Sequence, residues 1–162
     1  KLMNLLGMYD DRSIRMERIP MKEIFARVWK LELYRMQENQ LQLAMDCQMG
    51  EVWMDADLME SLLVNLLDNA VKASKPGSEI ELKAWDNTIL VRDHGKGIPE
   101  EEISRVTEAF YMVDKSRSKK AGGIGLGLAI CQRIVQIHGA RLSIESTLGE
   151  GTSVYVIFEG RQ

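Results

Sequence analysis

Apolar residues recur at helical spacing in four segments of the chain. The widest apolar face covers residues 56–74, where leucine, alanine and valine side chains follow a helical repeat. Narrower stripes over residues 21–36 and 126–137 predict two further helices. Residues 1–9 carry a similar stripe, and the polar residues 10–15 separate it from the rest of the chain. The pattern predicts three core helices, preceded by the end of another helix and a linker.

Alternation of apolar and polar residues predicts short strands between these helices. They comprise one strand before Pro20 and strands over residues 41–45, 51–54, 80–84, 89–91, 142–144 and 154–158. Residues 149–152, GEGT, taken alone, predict a hairpin turn. Residues 94–122 are rich in glycine and charge and predict a long loop. Because strands and helices do not strictly alternate, we expect an α+β two-layer sandwich, with a mixed, mostly antiparallel sheet covered on one face by about three helices.

The composition places the chain among ordinary globular proteins. Its 162 residues are 45% hydrophobic and 28% charged, which excludes disordered and fibrous classes. The formal net charge of -3 argues against binding to nucleic acid through bulk charge, so we expect no nucleic-acid partner. The chain starts at Lys1 without a signal-peptide pattern, and we interpret it as part of a longer protein.

Three polar residues share one face of the helix predicted over residues 56–74. Asn65, Asn69 and Lys72 are spaced at i, i+4 and i+7. A carboxamide oxygen can ligate Mg2+, which prefers oxygen ligands, and an ammonium group one turn further along can neutralise phosphate. The alternative is a solvated polar stripe, because asparagine and lysine are common on protein surfaces.

A carboxylate followed by two glycines comes after the strand predicted over residues 89–91. In DHGKGI, residues 93–98, the Asp93 carboxylate can accept a hydrogen bond from an exocyclic amine such as that of adenine. Gly95 and Gly97 let the backbone approach a ligand closely. The alternative is an ordinary charged turn.

Four glycines lie at the start of the helix predicted over residues 126–137. The sequence GGIGLGL, residues 122–128, can leave backbone N–H groups free at the positive end of a helix, where anions bind. It matches neither the dinucleotide-binding fingerprint nor a P-loop. The alternative is a flexible helix start.

Five short motifs in one order carry a family resemblance. NLLDNA, DHGKGI, EAFYMVDKSR, GGIGLGLAI and GEGTSV resemble the N, G1, F, G2 and G3 boxes of sensor histidine kinases of two-component systems. The resemblance covers residues 16–159 and implies a catalytic, ATP-binding domain with the Bergerat fold over residues 16–162. Residues 1–15 then resemble the end of the dimerisation and histidine-phosphotransfer helices.

The resemblance implies roles for individual residues. Asn69 would ligate Mg2+, Asp93 would bond the adenine amino group, and Thr152 would support the adenine pocket. The residues implied to bind ATP are Asn65, Asn69, Lys72, Asp93, Gly95, Gly97, Ile98, Lys115, Arg117, Gly123, Gly125, Leu126, Gly127, Leu128 and Thr152.

The resemblance also implies a lid and a catalytic set. Residues 99–122 would form a lid over ATP, and Phe110 would dock this lid onto the domain. The residues implied to serve catalysis are Asn65, Lys72 and Arg117. Met112 stands where many relatives carry arginine, which removes one candidate phosphate contact.

The implied activity is transfer of the γ-phosphate of Mg-ATP to a histidine imidazole. Neither histidine of this chain suits that role, and we interpret both His94 and His138 as structural or incidental. The acceptor would lie on the parent's own dimerisation domain, which would then phosphorylate a response regulator. We expect this chain to be monomeric and its parent to be a homodimer. The domain would be cytoplasmic, in a parent anchored in the cell membrane.

Three alternatives stay open. ATPases of the same superfamily activate water with a glutamate four residues before the metal-binding asparagine. Here that position is Asn65, whose carboxamide cannot act as a base. A serine-directed kinase shares the fold, but the F-box-like motif and the helical residues 1–9 fit it less well. A non-enzymatic nucleotide-binding docking module is favoured by Met112 and by the missing acceptor histidine.

Overall fold

The computed structural model describes residues 13–106 and 124–160. These residues form four helices, α1 (Met21–Glu38), α2 (Ala56–Ala73), α3 (Glu100–Val106) and α4 (Ile124–Ile137). Their seven strands are β1 (Glu17–Pro20), β2 (Gln42–Cys47), β3 (Glu51–Met54), β4 (Glu79–Trp85), β5 (Thr88–Asp93), β6 (Ala140–Thr147) and β7 (Gly151–Phe158). The helical remnant predicted over residues 1–9 lies outside the described residues.

Five of the strands form one sheet, in the order β2-β4-β5-β7-β6. β2 runs parallel to β4, and the other neighbours are antiparallel. β1 and β3 form a separate antiparallel pair. The pairing of β5 with β7 places Asp93 opposite Thr152. The prediction of a mixed, mostly antiparallel sheet is confirmed.

The hydrophobic core lies between one face of this sheet and helices α1, α2 and α4. The α2 leucines buried in it are Leu58, Leu62, Leu63, Leu66 and Leu67. Alternate residues of the strands contribute the other side of the core, among them Ile80, Leu82, Ile89, Val156 and Phe158. Glu81 and Lys83 of β4 lie between buried neighbours, are more exposed and face away from the core. This one-sided alternation produces the predicted two-layer arrangement.

His138 connects the end of α4 to the start of α2. Its Nδ1 lies 2.8 Å from the carbonyl oxygen of Ile134, and the backbone N–H of Asp55 donates to its Nε2 over 3.1 Å. A backbone N–H can only donate, so Nε2 is unprotonated and Nδ1–H donates to Ile134. The Asp55 carboxylate in turn caps α2 by accepting from the backbone N–H of Leu58. The buried ring is therefore a neutral structural group.

The prediction of a long loop over residues 94–122 is wrong for Glu100–Val106, because these residues form α3. This helix follows Pro99 and carries three glutamates in its first turn. Proline at a helix start costs no hydrogen bond, and acidic side chains interact favourably with the positive helix end. The proline and the glutamates at its start therefore favour a helix here, although the segment has no apolar stripe.

The helix predicted over residues 126–137 begins earlier, at Ile124, and so includes Gly125 and Gly127. A glycine in a helix costs about 1 kcal/mol relative to alanine. The buried face of α4, which includes Leu128, Cys131 and Ile134, packs in the core and offsets that cost.

We expect the stability of the chain to fall as the pH drops through about 6.5, the ordinary pKa of histidine. Burial lowers the pKa of His138 in the folded chain, and the hydrogen bond to Ile134 and the charge of Asp55 only partly offset this. The unfolded chain therefore binds the proton more readily, so the free energy of unfolding rises with pH until the ring is neutral in both states. Urea unfolding followed by circular dichroism at about pH 5.5 to 7.5 measures this slope.

A control that removes no titrating ring lies near the end of α4, close to His138. Gln136 is exposed, and Gln136→Ala is expected to keep the pH dependence. His138→Gln is expected to reduce it, because the titrating ring is gone. Equal slopes for the wild type and His138→Gln would contradict the prediction.

Candidate functional site

A cleft lies between the C-terminal half of α2 and the neighbouring ends of β5, β6 and β7. Six residues of the predicted ATP site line it: Asn69, Asp93, Gly97, Ile98, Leu128 and Thr152. Most of the remaining wall is apolar, with Leu66, Val91 and Ile144 among its side chains. The fold therefore brings residues of four separate motifs into one cleft with few polar groups.

Asp93 supplies a buried carboxylate to this cleft. It is the last residue of β5 and is 6% exposed, and its Oδ1 accepts a hydrogen bond from the backbone N–H of Gly95 over 2.8 Å. Burial raises the pKa of Asp93, whereas the N–H groups of Gly95 and Thr152 and the charge of His94 act to lower it. An acceptor of this kind between apolar walls suits a ligand N–H donor, because little water competes there.

Gly95 and Gly97 are required by close approaches of the protein's own backbone. A Cβ atom on Gly95 would lie 2.1 Å from the carbonyl oxygen of Ala73, at the end of α2. Gly97 has a φ of 75°, and a Cβ there would lie 2.3 Å from the carbonyl oxygen of Thr147. The loop after β5 is thus held between α2 and the β6–β7 turn. A further role of either glycine against a bound base stays a prediction.

The three polar residues of α2 differ in their surroundings. Asn69 lines the cleft, whereas Asn65 and Lys72 do not. The Nδ2 of Asn65 donates to the carbonyl oxygen of Ser61 over 2.8 Å, which leaves its amide oxygen available to a ligand. The Nζ of Lys72 lies 3.1 Å from the carboxylate of Asp68. Of these three polar residues, only Asn69 therefore lies in the cleft, and the other two lie outside it on the same helix.

Asp68 belongs to an ion-pair network that the sequence analysis missed. Besides Lys72, it contacts Arg35 of α1, which also bonds the buried carboxylate of Glu32. Burial acts to lower the pKa of Arg35, but the hydrogen bond and charge of Glu32 and the charge of Asp68 outweigh it and raise this pKa. The Arg35–Asp68 pair spans two helices, so no local motif could reveal it.

Ser146 is a second residue that the motifs did not reveal. Its Oγ accepts a hydrogen bond from the backbone N–H of Ile98 over 2.7 Å. The same oxygen lies 3.0 Å from the carbonyl oxygen of Gly151 and 2.8 Å from the hydroxyl of Thr152. Ser146 therefore joins three segments at the edge of the cleft, although it lies outside all five boxes.

The rest of the predicted site falls partly outside the described residues. This holds for Lys115, Arg117 and Gly123, and also for Phe110 and Met112. Gly125, Leu126 and Gly127 lie in the first turn of α4.

Neither a cluster of metal-ligating side chains nor a helix able to cross a membrane lies within the part of the chain that the structure describes. Within 13–106 and 124–160, no cluster of three histidine, cysteine, aspartate or glutamate side chains could hold a metal ion. Among the same residues, no helix combines the length and the apolar character that crossing a membrane would need.

The family of histidine kinase-, DNA gyrase B- and HSP90-like ATPases matches residues 54–162. The chain belongs to this family. The match includes α2, both walls of the cleft and the motifs that the sequence analysis singled out, and it confirms the predicted family.

This ATPase-family chain is similar to a curated sensor protein. Sensor protein SrrB of Staphylococcus aureus (strain NCTC 8325 / PS 47) is 38% identical over 131 residues, which cover 76% of this chain and 22% of SrrB. This chain therefore spans about a fifth of the length of that relative.

Solved structures share the fold of this family member. The mycobacterial sensor histidine kinase MprB superposes with a TM-score of 0.73 at 27% identity, over 91% of this chain and 99% of that chain. Full-length ShkA in complex with AMPPNP has a TM-score of 0.74 at 22% identity, over 99% of this chain and 35% of that chain. At that identity the ShkA likeness concerns the fold alone. The predicted fold class is confirmed.

Gly95→Ala is expected to lower the free energy of unfolding by about 1–3 kcal/mol, because its Cβ would overlap the Ala73 carbonyl. Gly50→Ala is the control, since a Cβ there meets nothing within 4 Å, and we expect a change within about 0.5 kcal/mol. Urea unfolding of both variants measures the difference. Equal stability of the two variants would show that the loop is not held against α2 as described.

Proposed function

We propose that this chain is the catalytic, ATP-binding domain of a sensor histidine kinase. In this proposal it binds Mg-ATP and positions the γ-phosphate for transfer to a histidine on the parent's own dimerisation domain. The observation that supports it most is the buried Asp93 carboxylate within an apolar cleft, opposite Thr152 on the paired strand. An adenine base combines an amino donor with a flat apolar body, and this cleft offers the complement of both.

The base would lie between α2 and the strands. Asp93 would accept a hydrogen bond from the exocyclic amino group, and Ile98 and Leu128 would contact the ring. Because a carboxylate can accept more hydrogen bonds than the one from the Gly95 N–H, the site would favour a ligand that carries a donor at this position. The AMPPNP bound by ShkA, which shares this fold, is in keeping with an adenine nucleotide.

The phosphates would extend along the polar face of α2. We assign the metal to Asn69, whose carboxamide oxygen is a fitting ligand for Mg2+. When bound, Mg2+ would screen the charge of the phosphates. Asn65 lies one turn before Asn69, where it can orient groups bound to the metal, and Lys72 would approach the phosphates from the exposed end of the face.

The lid and the glycine-rich segment would complete the phosphate site. Lys115 and Arg117 are proposed phosphate contacts on the lid. Gly123 would precede α4, and Gly125, Leu126 and Gly127 in its first turn would present the positive helix end to the phosphates.

Transfer to an imidazole is favoured over hydrolysis by the chemistry of Asn65. A carboxamide cannot take a proton from water, and the Nδ2 of Asn65 already donates to Ser61. The neutral His138 is buried between α2 and α4, so it is not a phosphate acceptor. The acceptor would belong to the dimerisation domain of a homodimeric parent, and a response regulator would receive the phosphate from it. Placement of this domain on the cytoplasmic side of a membrane-anchored parent is part of the same proposal.

Asp93→Asn is expected to weaken binding of a non-hydrolysable ATP analogue about 10- to 100-fold. The substitution keeps the shape of the side chain but removes the charge, and the carboxamide nitrogen offers a donor instead of an acceptor. Calorimetric titration with and without Mg2+ measures the affinity. Asp86→Asn is the control, because Asp86 is exposed in the β4–β5 turn. Unchanged affinity in Asp93→Asn would refute the assignment of the base site.

Phosphate transfer tests the whole proposal. Labelled ATP is expected to transfer its γ-phosphate to a histidine of the parent's dimerisation domain when this chain is present. Asn69→Ala is expected to lower the rate at least about tenfold and to reduce the response to Mg2+, whereas Asn39→Ala, at the exposed end of α1, is expected to change neither. Nucleotide binding without any labelled histidine would instead favour a non-enzymatic docking module.

A further inference from the structure

The Ser146 hydroxyl makes three hydrogen bonds, and the chemistry of its neighbours fixes which atom donates in each. The Ile98 N–H can only donate, and the Gly151 carbonyl can only accept. A serine hydroxyl has one proton and two lone pairs. The Ser146 hydroxyl therefore donates its proton to the Gly151 carbonyl oxygen, and one of its lone pairs accepts the hydrogen bond from the Ile98 N–H.

The remaining lone pair of Ser146 decides the orientation of Thr152. The two hydroxyl oxygens lie 2.8 Å apart, and the Ser146 proton is already used by Gly151. Thr152 must therefore donate its proton to Ser146. Its own lone pairs then face other directions, and Thr152 lines the cleft while being 8% exposed.

This orientation places two acceptors side by side. Thr152 is the register partner of Asp93 across the β5–β7 pair. The Asp93 carboxylate accepts hydrogen bonds, and the Thr152 hydroxyl can accept but has no proton left to donate. An amino group on a ligand fits this edge, whereas an oxo group would meet only other acceptors.

We propose that Ser146 is a positioning residue that holds the Thr152 hydroxyl as an acceptor, so that the cleft selects a purine with an exocyclic amino group over one with an oxo group at the same edge. The inference rests on the proposed nucleotide binding and adds a source of base specificity beyond Asp93. Ser146 itself does not touch the base; it acts through Thr152 and, by its bond to Ile98, through the loop wall.

The test compares two probes that differ at the amino position. The non-hydrolysable analogues of ATP and of ITP are titrated into the chain, and the ratio of their dissociation constants reports the preference. In Ser146→Ala the Thr152 hydroxyl can rotate and donate to an oxo group, so the preference for the ATP analogue is expected to fall about tenfold. Ser143→Ala is the matched control, because Ser143 lies on the same strand and faces away from the cleft, and its ratio is expected to equal that of the wild type.

A second pair of variants keeps the test valid if Ser146→Ala folds poorly in thermal denaturation. Thr152→Val removes the acceptor and is expected to lower the preference to a similar extent, whereas Thr152→Ser retains the hydroxyl and the preference. In the double variant of Ser146→Ala and Thr152→Val the two losses are expected not to add, because both remove the same contact.

The outcomes separate this inference from the proposed function. Equal weakening of both analogues in Ser146→Ala, with the ratio unchanged, would show a merely structural serine and overturn the inference. A wild type that binds both analogues equally would overturn it while leaving nucleotide binding intact. A folded wild type that binds neither analogue would overturn the proposed function, and this inference with it.

Discussion

The antiparallel pairing of β5 with β7 is the constraint on which the rest of the site depends. It sets Asp93 opposite Thr152, although the two residues lie far apart in the sequence. A Cβ on Gly151 would lie 2.2 Å from the carbonyl oxygen of Asp93, so the start of β7 packs against the end of β5 without a side chain between them. Because strand register is fixed by burial on one face, a slip by one residue would turn Asp93 away from the cleft.

Helix α2 serves both the core and the site. Its leucines bury one face against the sheet, and this burial supplies the hydrophobic free energy that holds the two layers together. Its other face carries Asn69 into the cleft and fixes Asp68 against Arg35 of α1. The position of the proposed metal ligand is therefore determined by packing on the opposite side of the same helix. A change in that packing would move the polar face with it.

Among the residues that the structure describes, the buried polar groups are connected rather than isolated. Asp93, Thr152 and His138 are all buried, and each has hydrogen-bond partners on neighbouring segments. A buried polar group without a partner costs free energy, so such networks favour one arrangement of the segments over others. The same requirement limits which hydrogen-bond directions are possible. For this reason the hydrogen bond between the Ser146 and Thr152 hydroxyl groups at the edge of the cleft has one direction.

The sequence by itself determined three of the four described helices, the strands, the family and half of the residues that line the cleft. These features rest on local chemistry: apolar periodicity, glycine at close approaches, and a carboxylate at a strand end. Only the tertiary structure decided the roles of Ser146, His138 and Arg35. The hydrogen bond from Ile98 to Ser146 joins residues 48 positions apart, and that from Asp55 to His138 joins residues 83 positions apart. No pattern of neighbours along the chain specifies such contacts, because they form only when packing of the two layers brings distant segments within hydrogen-bond reach.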